Sequence, residues 1–183
     1  MATVTTWYLE QTSLGDLNPA PPRRADAGVA LVRPIMPELN RFFYTAVGGD
    51  WYWIDRLGWT YTDWMKWLDR PEVETWVVHA GGIPAGYFEL EAQAGDSVEI
   101  SYFGLLPAFV GKGLGGYALT AAARRAWERG ARRVWVHTCS LDHPAAHPNY
   151  LARGFRVYHQ ESHEKELPPA PPGPWPNARG PAA

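Results

Sequence analysis

Cysteine is nearly absent from this chain. Cys139 stands alone, so no internal disulfide can form and no thiol pair at metal-ligand spacing exists. A reducing compartment is the expectation. Long hydrophobic runs are missing too: nothing approaches the roughly 20 consecutive apolar residues that a membrane span requires. Residues 1–12 lack the basic start and apolar run of a signal peptide, and the expected location is the cytoplasm. An excess of one charge sign is the third absence. A formal net charge of -2 gives neither the basic footprint of a nucleic-acid binder nor a patch for an anionic membrane, which leaves a small molecule as the expected partner.

What is present is enough for one core. The 183 residues are 46% hydrophobic, and that length and content suit a single domain without help from disulfides. Tryptophan is abundant and clustered, with Trp51, Trp53, Trp59, Trp64 and Trp67 in one short segment.

The periodicity of the chain divides it into elements. Residues 3–10 and 29–32 read as strands, and the prolines and arginines of 18–24 as a connection. Apolar residues at helical spacing predict a helix over 37–47, opened by Pro37 and stopped by Gly48 and Gly49, and another from about 62 to 70. The period then changes to two. Residues 74–80, 83–93 and 97–106 form an antiparallel meander punctuated by Gly81-Gly82 and by Ala94-Gly95-Asp96. An alanine-rich helix over 114–129 closes at Gly130, and 133–138 returns as a strand, which makes one right-handed crossover with two parallel strands. A short helix over about 144–153 and a last strand over 155–163 complete the reading. The fold class is therefore α/β (α+β): a mixed sheet of six to seven strands with a meander, one βαβ crossover and flanking helices. Residues 1–167 form the domain, and the proline-rich stretch 168–183 is expected to be an extended tail.

Gly111-Lys112-Gly113-Leu114-Gly115-Gly116 follows a strand and opens a helix, where unpaired N–H groups and the helix dipole can receive a phosphate. A P-loop is excluded because no Ser or Thr follows Lys112. Gly111, Gly113 and Gly116 satisfy the dinucleotide fingerprint literally, but that motif belongs to a doubly wound parallel sheet with several crossovers, and here a meander precedes it. A ligand-free glycine turn is the remaining alternative.

Leu105-Leu106-Pro107-Ala108-Phe109-Val110-Gly111-Lys112-Gly113-Leu114-Gly115 resembles the CoA-binding motif of the GNAT superfamily of N-acetyltransferases. Asp142-His143-Pro144-Ala145-Ala146, with Tyr150 and then Gly154-Phe155, resembles its second signature at the right separation. The signature region is 97–155. Two positions depart from the family pattern: Val110 stands where Arg or Gln is usual, and His143 where Asn is common. The pyrophosphate is then expected to rest on backbone N–H groups and Lys112.

The resemblance implies a GNAT-like fold, acetyl-CoA as acyl donor, no metal, and roles for particular residues. Leu105, Leu106, Val110, Gly111, Lys112, Gly113, Leu114, Gly115, Gly116 and His143 fall at cofactor-binding positions. A backbone N–H near Leu105 or Leu106, beside a strand bulge, would polarise the thioester carbonyl. Tyr150 matches the tyrosine that protonates the departing thiolate, with His143, His147 and His159 as other proton carriers. Glu99 resembles the base glutamate of some members, Glu89 and Glu91 being rivals and a water chain an alternative. Trp51, Tyr52, Trp53 and Glu89 are the expected acceptor contacts, since the first two helices form the amine side of the family's cleft. The expected activity is acetyl transfer to a primary amine of a small molecule by direct attack. A protein or peptide N-acetyltransferase, a non-catalytic acyl-CoA-binding module and a nucleotide-dependent oxidoreductase stand as alternatives, and a homodimer is left open.

Overall fold

Residues 1–175 and 178 are described by a computed structural model of the chain. In chain order the elements are β1 (Ala2–Gln11), β2 (Ala27–Leu31), α1 (Pro37–Gly48), α2 (Tyr61–Leu68), β3 (Val73–Ala80), β4 (Ile83–Gln93), β5 (Ser97–Leu105), α3 (Leu114–Glu128), β6 (Arg133–Cys139), α4 (Ala146–Ala152) and β7 (Arg156–Lys165). The strands form one sheet in the order β2-β3-β4-β5-β6-β1-β7. Only β5 and β6 run parallel, and they pair over just three residues each, Ser97 to Glu99 against Arg133 to Trp135. The glycine loop therefore does not sit in a doubly wound parallel sheet.

Local chemistry sets most of these boundaries. Gly81 and Gly82 both take positive φ, 63° and 76°, which a two-residue hairpin with the twist of its strands demands, and Ala80 pairs with Ile83 across it. Thr60 and Asp63 form a reciprocal capping box at the start of α2. The expected helix over 144–153 begins later, because the Ala145 N–H donates to His143 Nδ1 at 3.0 Å and holds a turn ahead of α4. The last strand runs longer than expected, since β1 pairs with it out to Ala2 and Lys165.

The core lies on both faces of the sheet. Ala118, Leu119, Ala122, Ala123 and Ala126 of α3 pack on Leu90, Val98, Ile100, Val134 and Val136, the alanines letting the helix approach closely. On the opposite face α1 and α2 bring Phe43, Tyr44, Val47, Trp64 and Leu68 over β3 to β5. No side chain fits between α1 and β5 at Gly104, where a methyl group would come within 2.3 Å of Val47 Cγ1.

Of the proline-rich stretch 168–183, residues 176, 177 and 179–183 lie outside the described residues. Within the described part, the Gly173 N–H donates to the Gly49 carbonyl at 2.8 Å, which brings the tail onto the end of α1. No helix among the described residues is long and apolar enough to cross a membrane.

Candidate active site

The sheet opens where β5 and β6 part. Beyond Glu99 and Trp135 the two parallel strands no longer pair, and a cleft of about 900 Å³ enters between them. A bulge shapes this edge: Tyr102 pairs with Glu89 and Ile100 with Leu90, so Ser101 is the extra residue. Its hydroxyl is shielded from water and has no hydrogen-bond partner among the described residues, and the residue lines the cleft. A polar atom in that condition costs free energy unless something else pairs with it.

Past the bulge, the ladder decides which backbone groups face the opening. The Leu106 N–H is spent on the Ala85 carbonyl at 2.9 Å. Hydrogen-bonded and non-hydrogen-bonded pairs alternate in an antiparallel ladder, so Leu105, opposite Gly86, and Phe103, opposite Phe88, turn their main-chain groups away from β4 and toward the cleft. Of the two expected donors, Leu105 is the one that can serve.

The glycine loop closes one end of the cleft. Gly111 and Gly113 hold φ of 76° and 77°, and no side chain caps the start of α3, so its first N–H groups face outward without intrahelical partners. Val110, Gly111, Gly113, Gly115 and Gly116 line the cleft, whereas Leu114 is buried in the core and Lys112 stands over the Phe109 ring, 5.5 Å from its centroid.

Two arginines that the sequence did not single out flank this loop. The stem of Arg23 lies across Gly113, where an added methyl group would come within 2.6 Å of its Cδ. Arg153 approaches Gly116 from the other side, its Nη1 2.6 Å from where a methyl group would stand. Both line the cleft. Their segments are anchored: the Ala20 N–H donates to Thr120 Oγ1 at 2.9 Å, and the Arg153 carbonyl accepts from Gln11 Nε2 at 2.8 Å and from the Asn18 N–H at 3.1 Å.

The tryptophan-rich segment divides into two parts. Trp51, Tyr52 and Trp53 line the cleft, with Trp51 edge-on to His143 at 4.9 Å and Trp53 Nε1 donating to Asp142 Oδ1 at 3.3 Å. Tyr52 holds φ of 58°, a left-handed conformation that a bulky residue rarely takes. Trp59, Trp64 and Trp67 instead surround the buried Arg56.

Glu89 does not reach the cleft. It is fully buried, paired with Arg56 at 2.9 Å, and accepts hydrogen bonds from Asn40 Nδ2 and Trp67 Nε1. Glu91 is paired with Arg70 at 2.6 Å. Glu99 also stands behind the cleft wall: Gln93 Nε2 donates to its Oε2 at 2.8 Å, and its Oε1 lies 3.2 Å from His137 Nδ1. His137 is the residue that lines the cleft. Sequence reasoning passed over it, although the alternation of β6, with Val134, Val136 and Thr138 buried, turns His137 off the core. The Glu99 hydrogen bond raises its pKa above the ordinary histidine value, against burial, which lowers it.

Tyr150 sits at the base of the cleft, 5% exposed, its ring packed on Phe103 and Phe155. Burial pushes its phenol well above the usual value, so the hydroxyl keeps its proton across the working range. His143 lines the cleft, while His159 packs on Tyr8 and the His147 Nε2 is buried without a partner. Among the described residues, no group of His, Cys, Asp and Glu side chains is arranged to hold a metal ion.

The profile of the Acetyltransferase (GNAT) family matches residues 33–155. No curated protein matches the chain by sequence. Among solved structures, a GCN5-related N-acetyltransferase from Kribbella flavida superposes with a TM-score of 0.62 at 23% identity, over 85% of this chain and 55% of that one. Another from Sphaerobacter thermophilus gives 0.66 at 19% identity, over 87% of this chain and 50% of that one. The present chain thus spans about half the length of both. AAC(6')-Iy, in complex with a bisubstrate analog, CoA-S-monomethyl-acetylneamine, gives 0.58 at 15% identity over 76% of this chain and 97% of its own. At these identities the likeness is one of fold.

Proposed function

Because the chain belongs to the GNAT acetyltransferase family, we propose that it transfers an acetyl group from acetyl-CoA to a primary amine of a small molecule, by direct attack on the thioester. The observation that carries this reading is the parted edge of β5, which runs from a Ser101 hydroxyl without a partner among the described residues to a glycine loop flanked by the stem of Arg23 and the guanidinium of Arg153. The pantetheine arm would pair with that edge as an added strand, and the outward N–H groups of Gly113 to Gly116 would receive the pyrophosphate. Arg23 and Arg153 supply the cationic donors that Val110 cannot.

The thioester carbonyl would accept from the Leu105 N–H, which stabilises the developing oxyanion without reorganisation. Tyr150, neutral and close-packed, is the proton donor to the departing thiolate. On the amine side, Trp51, Tyr52 and Trp53 offer aromatic surface and Asp55 a carboxylate that would hold an ammonium group. This composition favours a small acceptor with an apolar or aromatic body, and the bisubstrate analog CoA-S-monomethyl-acetylneamine held by a structural neighbour supports a small amine.

Calorimetry with CoA, followed by thiol release from acetyl-CoA over a panel of aromatic amines, aminoglycosides and peptides, tests the reading. CoA binding and release with a small amine is expected. Failure to bind CoA would sink it, release with peptides alone would redirect it to a protein N-acetyltransferase, and binding without release would leave an acyl-CoA-binding module.

A further inference from the structure

We infer that His137 is the general base of this transfer, with Glu99 as the residue that positions its imidazole from behind. The inference rests on the acetyl-transfer reading and names the group that reading still lacks. An ammonium acceptor must lose a proton before it can attack, and the base must touch the cleft. Glu99 does not: its side chain is 12% exposed, its Oε2 is held by Gln93 Nε2 at 2.8 Å, and Gln93 is itself fixed by Trp135 Nε1 at 3.0 Å. The remaining oxygen, Oε1, meets His137 Nδ1 at 3.2 Å.

Nδ1 facing a carboxylate oxygen favours the tautomer that carries its proton there. With Nδ1–H donating to Glu99, Nε2 is the acceptor nitrogen of the neutral ring, and the half-exposed imidazole lines the cleft that also holds Tyr150 and Asp55. His137 and Glu99 come from the two strands that part at this point, with Glu99 in the last paired position and His137 beyond it in the cleft lining.

The surroundings set the sign of its titration. Glu99 faces His137 from β5, Tyr8 from β1 at 6.0 Å between rings, Asp142 from the turn after β6, and Asp55 from the loop before α2. Asp55 is itself 3.8 Å from Lys165 of β7, which also lines the cleft, and the Tyr8 hydroxyl donates to Glu161. The carboxylates favour the imidazolium, Glu99 most, and burial opposes it, with a net rise. The neutral, active form therefore gathers as pH climbs through this raised value.

The proton balance closes without a co-reactant. One proton passes from the ammonium to His137 Nε2 and on to solvent. The neutral amine attacks, the C–N bond forms and the C–S bond breaks. The second proton leaves the nitrogen as the thiolate departs and reaches sulfur by way of the Tyr150 hydroxyl.

The test combines pH profiles of kcat/KM with NMR titration of the His137 imidazole in wild type, E99Q, H137Q and H137N, and calorimetry with acetyl-CoA in each. H137Q and H137N should lower kcat/KM at neutral pH by about 10²- to 10⁴-fold and replace the His137 limb with a rise that follows the acceptor amine's own titration, with acetyl-CoA affinity held within about twofold. E99Q should shift both the NMR titration and the acidic limb together to lower pH, a response that a merely structural carboxylate would not give. Wild-type turnover with an unchanged rate and limb in H137Q overturns the base and leaves acetyl transfer standing. Absence of thiol release from the wild type with every acceptor overturns both.

Discussion

The guanidinium of Arg56 and the carboxylate of Glu89 meet at 2.9 Å, their side chains 5% and 1% exposed, beneath the cleft rather than in it. The rings of Tyr102, Trp59 and Trp67 stand within 4.5 Å of the guanidinium carbon, and the Arg56 N–H donates to Tyr44. A pair this dry is secured by mutual neutralisation, and losing one member strands the other charge. Glu89→Gln should therefore cost about 3 to 5 kcal/mol, read as the free energy of urea unfolding. A loss below about 1 kcal/mol would mean that water reaches Arg56.

Arg23 and Arg153 carry the second prediction. Charge-assisted hydrogen bonds to a phosphate are worth roughly 1.5 to 3 kcal/mol each, so Arg23→Ala and Arg153→Ala should each weaken CoA by about 10- to 100-fold. Surface charges are screened by salt, and the wild-type advantage should shrink as ionic strength rises. Calorimetry at two salt concentrations checks both statements. Equal affinity in wild type and Arg153→Ala would leave the backbone N–H groups as the sole anchor.

The glycine loop's place at the start of α3 was legible in the sequence because its signals are local: turn chemistry and a helix start within a few residues, whereas Tyr150 was named only through the resemblance to the family's second signature. The meander and the single crossover were readable from local signals as well. The place of β1 was not, since its partners lie at Arg133–Cys139 and Arg156–Lys165 and nothing in residues 2–11 encodes which strands it will join. Arg23 and Arg153 escaped notice because two distant segments converge on Gly113 and Gly116 only in the folded chain. Glu89 read as a rival for the base and an acceptor contact because strand parity tells which face a side chain takes and not what is packed there. On that face α1, α2 and the loop between them bring Asn40, Trp67 and Arg56.

Tyr52 offers a test in which stability and function move in opposite directions. Its φ of 58° is held by the turn in which the Trp51 and Trp53 N–H groups both donate to the Gly48 carbonyl. A left-handed residue with a side chain costs roughly 1 to 2 kcal/mol, and such strain persists where a side chain is wanted in that place. Tyr52→Gly should leave the melting temperature no lower than wild type and raise the acceptor KM by about tenfold. A lower melting temperature with an unaltered KM would make Tyr52 a packing residue.

Trp53 lies so close to α1 that a methyl group on Gly48 would meet its ring at 2.1 Å. An indole wedged between Tyr44, Tyr102 and Asp142 cannot simply swing away, so Gly48→Ala must displace the loop that presents Trp51 and Tyr52. The outcome expected is an acceptor KM raised severalfold with acetyl-CoA affinity intact, because the glycine loop lies at the other end of the cleft. Equal losses for both substrates would show instead that the whole sheet edge had moved.

The departing thiolate needs a proton, and Tyr150 at the base of the cleft is placed to give it. Burial holds the Tyr150 phenol well above its ordinary value, so it remains a neutral donor through any assay below pH 10 and adds no alkaline limb to the profile. Tyr150→Phe should lower kcat by about 10²-fold at every pH in that range while leaving acetyl-CoA affinity nearly unchanged. General acid catalysis matters most for a poor leaving group. An acetyl thioester of a more acidic thiol, truncated to keep the pantetheine arm, should therefore narrow the gap between wild type and Tyr150→Phe. A purely structural tyrosine would impair both donors by the same factor, and that equality would remove Tyr150 from the chemistry.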